Sequence, residues 1–166
     1  MALTRLMYLV LKLIHVFAVI MFVGNITVGI LWKALADRTR DARIIAHTMA
    51  GIIEADRWFT VPAVILLLIA GFGTAAIGHM PVLGTGWILW ALIMFVIAGI
   101  AFGPISRTQR SLLSVAREGV AAGALDWDEY ERLSARWNVA GIIALVTPLV
   151  AVALMVLKPS LRAFHR

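Results

Sequence analysis

The sequence predicts an all-α polytopic membrane protein: an antiparallel four-helix transmembrane bundle, one domain over residues 1–166, with its helices extended on the cytoplasmic side. Three observations predict it. Of the 166 residues, 62% are hydrophobic and 14% charged, and mean hydropathy is +0.95, whereas soluble domains are roughly 45–50% apolar. Four runs stay apolar for the roughly 20 residues that a helix needs to cross hydrocarbon. The two-residue alternation of a barrel strand is absent, and lipid offers backbone groups no partners outside a helix.

The first run, Met7 to Trp32, holds a single cation, Lys12. It is much longer than the ~7–15 residues of a secretory signal core, so it is expected to remain as the first span despite the small-residue stretch Ala34-Leu35-Ala36. Trp58 to Gly78, the second run, has no charge. Upstream of it Ile44, Ile45, Met49, Ile52 and Ile53 keep helical spacing, which predicts one helix from near Thr39 to Gly78. Gly78-His79-Met80-Pro81 to Gly86 is a short turn that makes helices two and three an antiparallel hairpin. The third run, Gly86 to Pro104, is uncharged, and its helix is expected to continue to Gly119. Asp126 with Glu129 three residues on marks the start of a fourth helix, which enters lipid at Trp137 and ends near Leu157. Pro62, Pro104 and Pro148 each lack an amide and predict bends.

Charge placement orients the bundle. Lys33, Arg38, Arg40, Arg43 and Arg57 lie between spans one and two, and Arg107, Arg110, Arg117, Arg132 and Arg136 between spans three and four. The turn from His79 to Thr85 carries no Lys, Arg, Asp or Glu. The positive-inside rule then puts both long connections in the cytoplasm of a bacterium and both termini on the periplasmic side of its inner membrane. Topology and anionic lipid explain the net charge of +6, and nucleic acid is not needed as a partner. There is no cysteine, which excludes disulfides and thiolate-bound metals.

His15 is the candidate site residue. On a helical wheel it shares a side with Tyr8, Leu11, Lys12, Ala18, Val19, Phe22 and Gly29, with Asn25 near one edge, and this stripe is expected to face the bundle interior. From Met7 it lies eight residues in, about 12 Å deep at ~1.5 Å per residue. The same depth falls on Ala70, Met94 and Leu149 in the other helices, and among these only Met94 could coordinate a metal. An inward imidazole with small and aromatic neighbours suits haem b, with Arg5, Lys12, Lys158 and Arg162 available to propionates. Taken alone, the residue is more simply read as bonding Thr74 or a backbone carbonyl.

Other candidates carry less. His47 and Glu54 share a helix side but lack a third ligand, so a solvated face is the simpler reading. His79, beside Met80, is expected to cap its helix or approach a haem edge; His165 lies in a basic tail. Trp32, Trp58, Trp87 and Trp137 fall at span ends as interfacial anchors. No Asp or Glu falls inside a span, which disfavours an ion-coupled transporter. Gly99 and Gly103, four residues apart, leave an oligomer open.

With Leu11-Lys12-Leu13-Ile14-His15-Val16, then Phe22-Val23-Gly24-Asn25, then Asp56-Arg57-Trp58-Phe59-Thr60-Val61-Pro62 leading to Gly71, the chain resembles an uncharacterised family of four-span bacterial integral-membrane proteins. The opening also looks like that of the HemJ-type protoporphyrinogen oxidases and, more distantly, the membrane domain of CopD-type copper proteins. The HemJ likeness implies His15 as a haem b ligand. It also implies a lysine ligand in the third helix, and Gly86 to Pro104 has none, which leaves Met94, His79 or an open iron position. The resulting expectation is a haem-b-binding membrane protein with a redox or electron-transfer role, working with a partner protein or a quinone. The alternative is a haem-free structural protein that docks a partner through its cytoplasmic extensions.

Overall fold

A computed structural model describes residues 2–163. It contains four long helices and, among the described residues, no strand: α1, Ala2–Thr39; α2, Ala42–Ile77; α3, Gly86–Ala122; and α4, Trp127–Leu157. All four are long and apolar enough to cross a membrane. At ~1.5 Å per residue the 38 residues of α1 reach about 57 Å, well beyond the ~30 Å of a hydrocarbon core. The bundle therefore has a basic end, and a terminal end that holds the start of α1, the end of α4 and the 78–85 turn.

Local chemistry sets the helix limits. Arg40 adopts a left-handed conformation, φ 52°, and Asp41 caps α2 by accepting from the amides of Arg43 at 2.8 Å and Ile44 at 3.4 Å. The break at 40–41 moves the start of α2 from the expected Thr39 to Ala42. Beyond its expected end at Gly119, α3 runs on to Ala122. A Cβ at Gly119 would lie 2.8 Å from Leu125, so this glycine admits the returning chain, and Gly123 at φ 76° stops the helix. Asp126 caps α4 by accepting from the Glu129 amide at 3.0 Å, as the spacing predicts.

One turn of α2, Asp56–Thr60, is π-helical. It directly precedes Pro62, whose ring would otherwise crowd the carbonyl of Trp58 four residues back. By contrast α3 and α4 run through Pro104 and Pro148 without interruption.

The two ends of the bundle pack differently. At the basic end Ala36, Ile45, Met49, Ile52, Leu112, Ala116, Leu133 and Trp137 form a closed core shared by all four helices. Trp137, expected as a surface anchor, is buried there with Lys33 Nζ 5.3 Å above its ring, while Trp32 and Trp58 stay exposed. Towards the terminal end the helices separate into two pairs. Val61–Ile77 packs on α1, α3 packs on α4, and no Cα of Val61–Ile77 comes within 8 Å of α3 or α4. Helices α2 and α3 are thus neighbours through Ala42–Ala55 but splay apart at the turn that joins them, contrary to the close hairpin expected there.

Candidate functional site: an apolar cleft beside His15

The splay leaves a cleft of about 370 Å3, open on one side and lined almost wholly by apolar groups from α1 to α4. Ordinary ligand clefts start near ~300 Å3. Val16, Val19 and Phe22 of α1, Leu67 and Ala75 of α2, Ala91 and Phe95 of α3, and Ala151 and Met155 of α4 form its walls. Phe22 and Phe95 meet across it with ring centroids 6.0 Å apart.

His15 lies on this cleft. Its Nδ1 is 3.0 Å from the Leu67 carbonyl oxygen, and because a carbonyl only accepts, Nδ1 carries the proton in that bond. Nε2 then keeps a lone pair, and among the described residues no protein group is bonded to it. Gly71 makes this pose possible, since a Cβ there would lie 3.0 Å from both Cε1 and Nδ1 of the imidazole. Thr74, the other expected partner, donates instead to Ala70 at 2.6 Å. The carbonyl bond expected of a merely packed histidine is made, and it is also the bond that orients a histidine for coordination through its other nitrogen.

The other expected residues are distributed unevenly. Met94 is not in the lining: α3 presents Ile88, Ala91, Leu92 and Phe95 to the cleft, and Met94 sits about 110° round from the centre of that stripe. Met80 and Met155 are the thioethers on the cleft. Met80 is set there by the end of α2, where its amide donates to Ala75 at 2.9 Å and that of His79 to Ala76 at 3.1 Å, the paired bonds of a Schellman turn. His79 fills the left-handed position of that turn, φ 50°, and its side chain is exposed. Lys12 is exposed one turn from His15 towards the terminal end and does not line the cleft. Lys158 stands 5.4 Å over the ring of Trp87, a lining residue.

His47 and Glu54 are both exposed, and among the described residues no three His, Cys, Asp or Glu side chains cluster to hold a metal. His165 lies outside the described residues. Just outside the second apolar run, one carboxylate meets a polar side chain of the first. The π turn brings Asp56 to Asn25, in the apolar run of α1, with Asn25 Nδ2 donating to Asp56 Oδ1 at 3.0 Å.

Residues 9–159 match a family model described as "Predicted integral membrane protein (DUF2269)". No curated protein and no solved structure matches the chain.

Proposed function

Since the chain belongs to the DUF2269 family of integral membrane proteins, we propose that it acts within the bilayer by binding one haem b through His15. The observation that carries this reading is the imidazole itself, fixed through Nδ1 on Leu67 and Gly71 and offering an unused Nε2 on an apolar cleft. The chemistry of the donor fits, because haem iron takes neutral imidazole nitrogen. Small side chains at Ala75, Ala91 and Ala151 leave width for a flat ring system, and the aromatic rings of Phe22 and Phe95 supply apolar faces. Lys12, Lys158 and Arg162 at the terminal end supply positive charge for propionates. Met80 and Met155 replace Met94 as candidate second ligands. The likeness of Leu11-Lys12-Leu13-Ile14-His15 to the HemJ-type opening supports the same assignment.

Bound haem would supply one-electron chemistry, which places the protein as an electron-transfer subunit or haem-dependent oxidoreductase. Ile20, Phe72 and Val156 line the cleft and are also exposed on the apolar outer surface, so a lipid-soluble quinone or a membrane partner protein is the fitting electron partner. In this reading the membrane is a bacterial inner membrane, the basic end is cytoplasmic and the termini are periplasmic, as the arginine distribution supports. Protein purified in detergent from haem-replete cells is expected to show a Soret band that moves on dithionite reduction. A colourless preparation would favour the haem-free docking reading.

Gly71 provides a second check. Gly71→Val places branched carbons where the imidazole lies and drives it off the Leu67 carbonyl. Overpacking of this kind costs about 1–3 kcal/mol, so haem retention, measured as Soret absorbance per protein, is expected to fall roughly tenfold. Unchanged retention would show that the ring's position does not matter to binding.

A further inference from the structure

Away from the cleft, one carboxylate is held where a membrane protein rarely keeps one. Asp56 Oδ1 accepts from Asn25 Nδ2 at 3.0 Å and Thr60 Oγ1 at 2.9 Å, and Asp56 Oδ2 accepts from Gln109 Nε2 at 2.9 Å. Asn25 Nδ2 also reaches Thr60 Oγ1 at 2.8 Å. All three donors are neutral. No Lys, Arg or His nitrogen lies within 4.0 Å of the carboxylate among the described residues. Thr60 is 2% and Gln109 3% exposed.

Such an arrangement does more than tie helices together. Burying an unpaired charge is expensive, and an amide or hydroxyl in place of Asp56 would join the same three helices at lower cost. The carboxylate also sits on the one π turn of the chain's described helices, a local widening that recurs at functional sites.

We propose that Asp56, Thr60, Asn25 and Gln109 form a binding site for one monovalent cation. Oδ1 of the carboxylate and the Thr60 hydroxyl already share the Asn25 amide, and Oδ2 faces Gln109. A half-turn of either amide exchanges NH2 for C=O, so Asn25 and Gln109 can each add an oxygen. Hard cations take oxygen ligands of this kind. One negative charge balances a single positive one, which selects Na+, K+ or a proton over a divalent ion. The site stands independently of the haem reading.

The groups facing Asp56 are Asn25 from α1 and Gln109 from α3, with Thr60 on its own helix; Glu54 and Arg57 on that helix are exposed. The test is thermal unfolding of the full chain in detergent at constant ionic strength, with NaCl or KCl replacing choline chloride, at neutral and mildly acidic pH. Saturating Na+ or K+ is expected to raise the wild-type Tm by about 5 °C and to leave Asp56→Asn unmoved. Thr60→Val, which keeps the charge, is expected to need about tenfold more salt for half the effect. A rise on acidification alone, absent in Asp56→Asn, assigns the same site to a proton. If Asp56→Asn does not fold, the wild-type and Thr60→Val titrations decide. Overlapping wild-type curves in choline, Na+ and K+, with no acid shift that depends on Asp56, overturn the proposal.

Discussion

His15→Ala is expected to abolish the Soret band while the four helices stay folded. Among the described residues the substitution removes the one imidazole that lines the cleft, and loss of a direct ligand exceeds the 10–100-fold that even a ligand's supporting partner contributes. More than about a hundredfold weaker haem binding should follow. The structural cost is small by comparison. One bond to the Leu67 carbonyl disappears, worth about 1 kcal/mol, which in a chain of this length corresponds to roughly 2–4 °C in Tm. Free imidazole added to the variant should restore part of the band by occupying the vacated space. Retention of the full band by His15→Ala would move the ligand elsewhere and end the role assigned to this residue.

The second large effect is expected at Lys33. Its side chain is 1% exposed, its Nζ donates to Asp37 Oδ2 at 2.7 Å and Ser134 Oγ at 2.6 Å, and it lies over the rings of Tyr130 and Trp137. Tyr130 donates to the other oxygen of Asp37 at 2.5 Å, so the cation is the hub that joins α1 to α4. Lys33→Ala leaves Asp37 without its counter-ion and opens a void beside Trp137, whose Nε1 already lacks a partner among the described residues. Removing one member of a buried pair costs about 3–5 kcal/mol. Asp37 is partly exposed, 28%, which places the expected loss near the lower figure and the fall in Tm near 10 °C. Lys33→Met with Asp37→Asn, which removes both charges and keeps the volume, should recover most of it. Equal stability of the single and double variants would show that charge pairing is not what holds these helices.

Much of the architecture could be read from order along the chain. Each apolar run became a helix because lipid leaves no alternative, and Asp126 caps where its spacing to Glu129 says it should. Azimuth was less legible than depth. Counting residues placed Met94 level with His15, but the face that α3 turns to the cleft depends on its contacts with α4, and the thioethers on the cleft are Met80 from the turn after α2 and Met155 from α4. Gly119 looked like a helix stop because glycine serves both to end a helix and to let another segment approach. Asp56 was hidden differently. It lies just outside an apolar window, and its partners Asn25 and Gln109 are 31 and 53 positions away, so no local pattern joins them. Lys33 counted only towards the charge of the first connection, since nothing near it in sequence announces Ser134 or Trp137.

The splayed helices also bear on where affinity can come from. Acyl tails fill a sideways-open gap in a bilayer, so any guest displaces hydrocarbon, not water, and gains almost nothing from leaving an aqueous phase. Retention then rests on one directional bond and on charges near the headgroups. A flat apolar molecule unable to accept a nitrogen lone pair should exchange with lipid and be lost on purification.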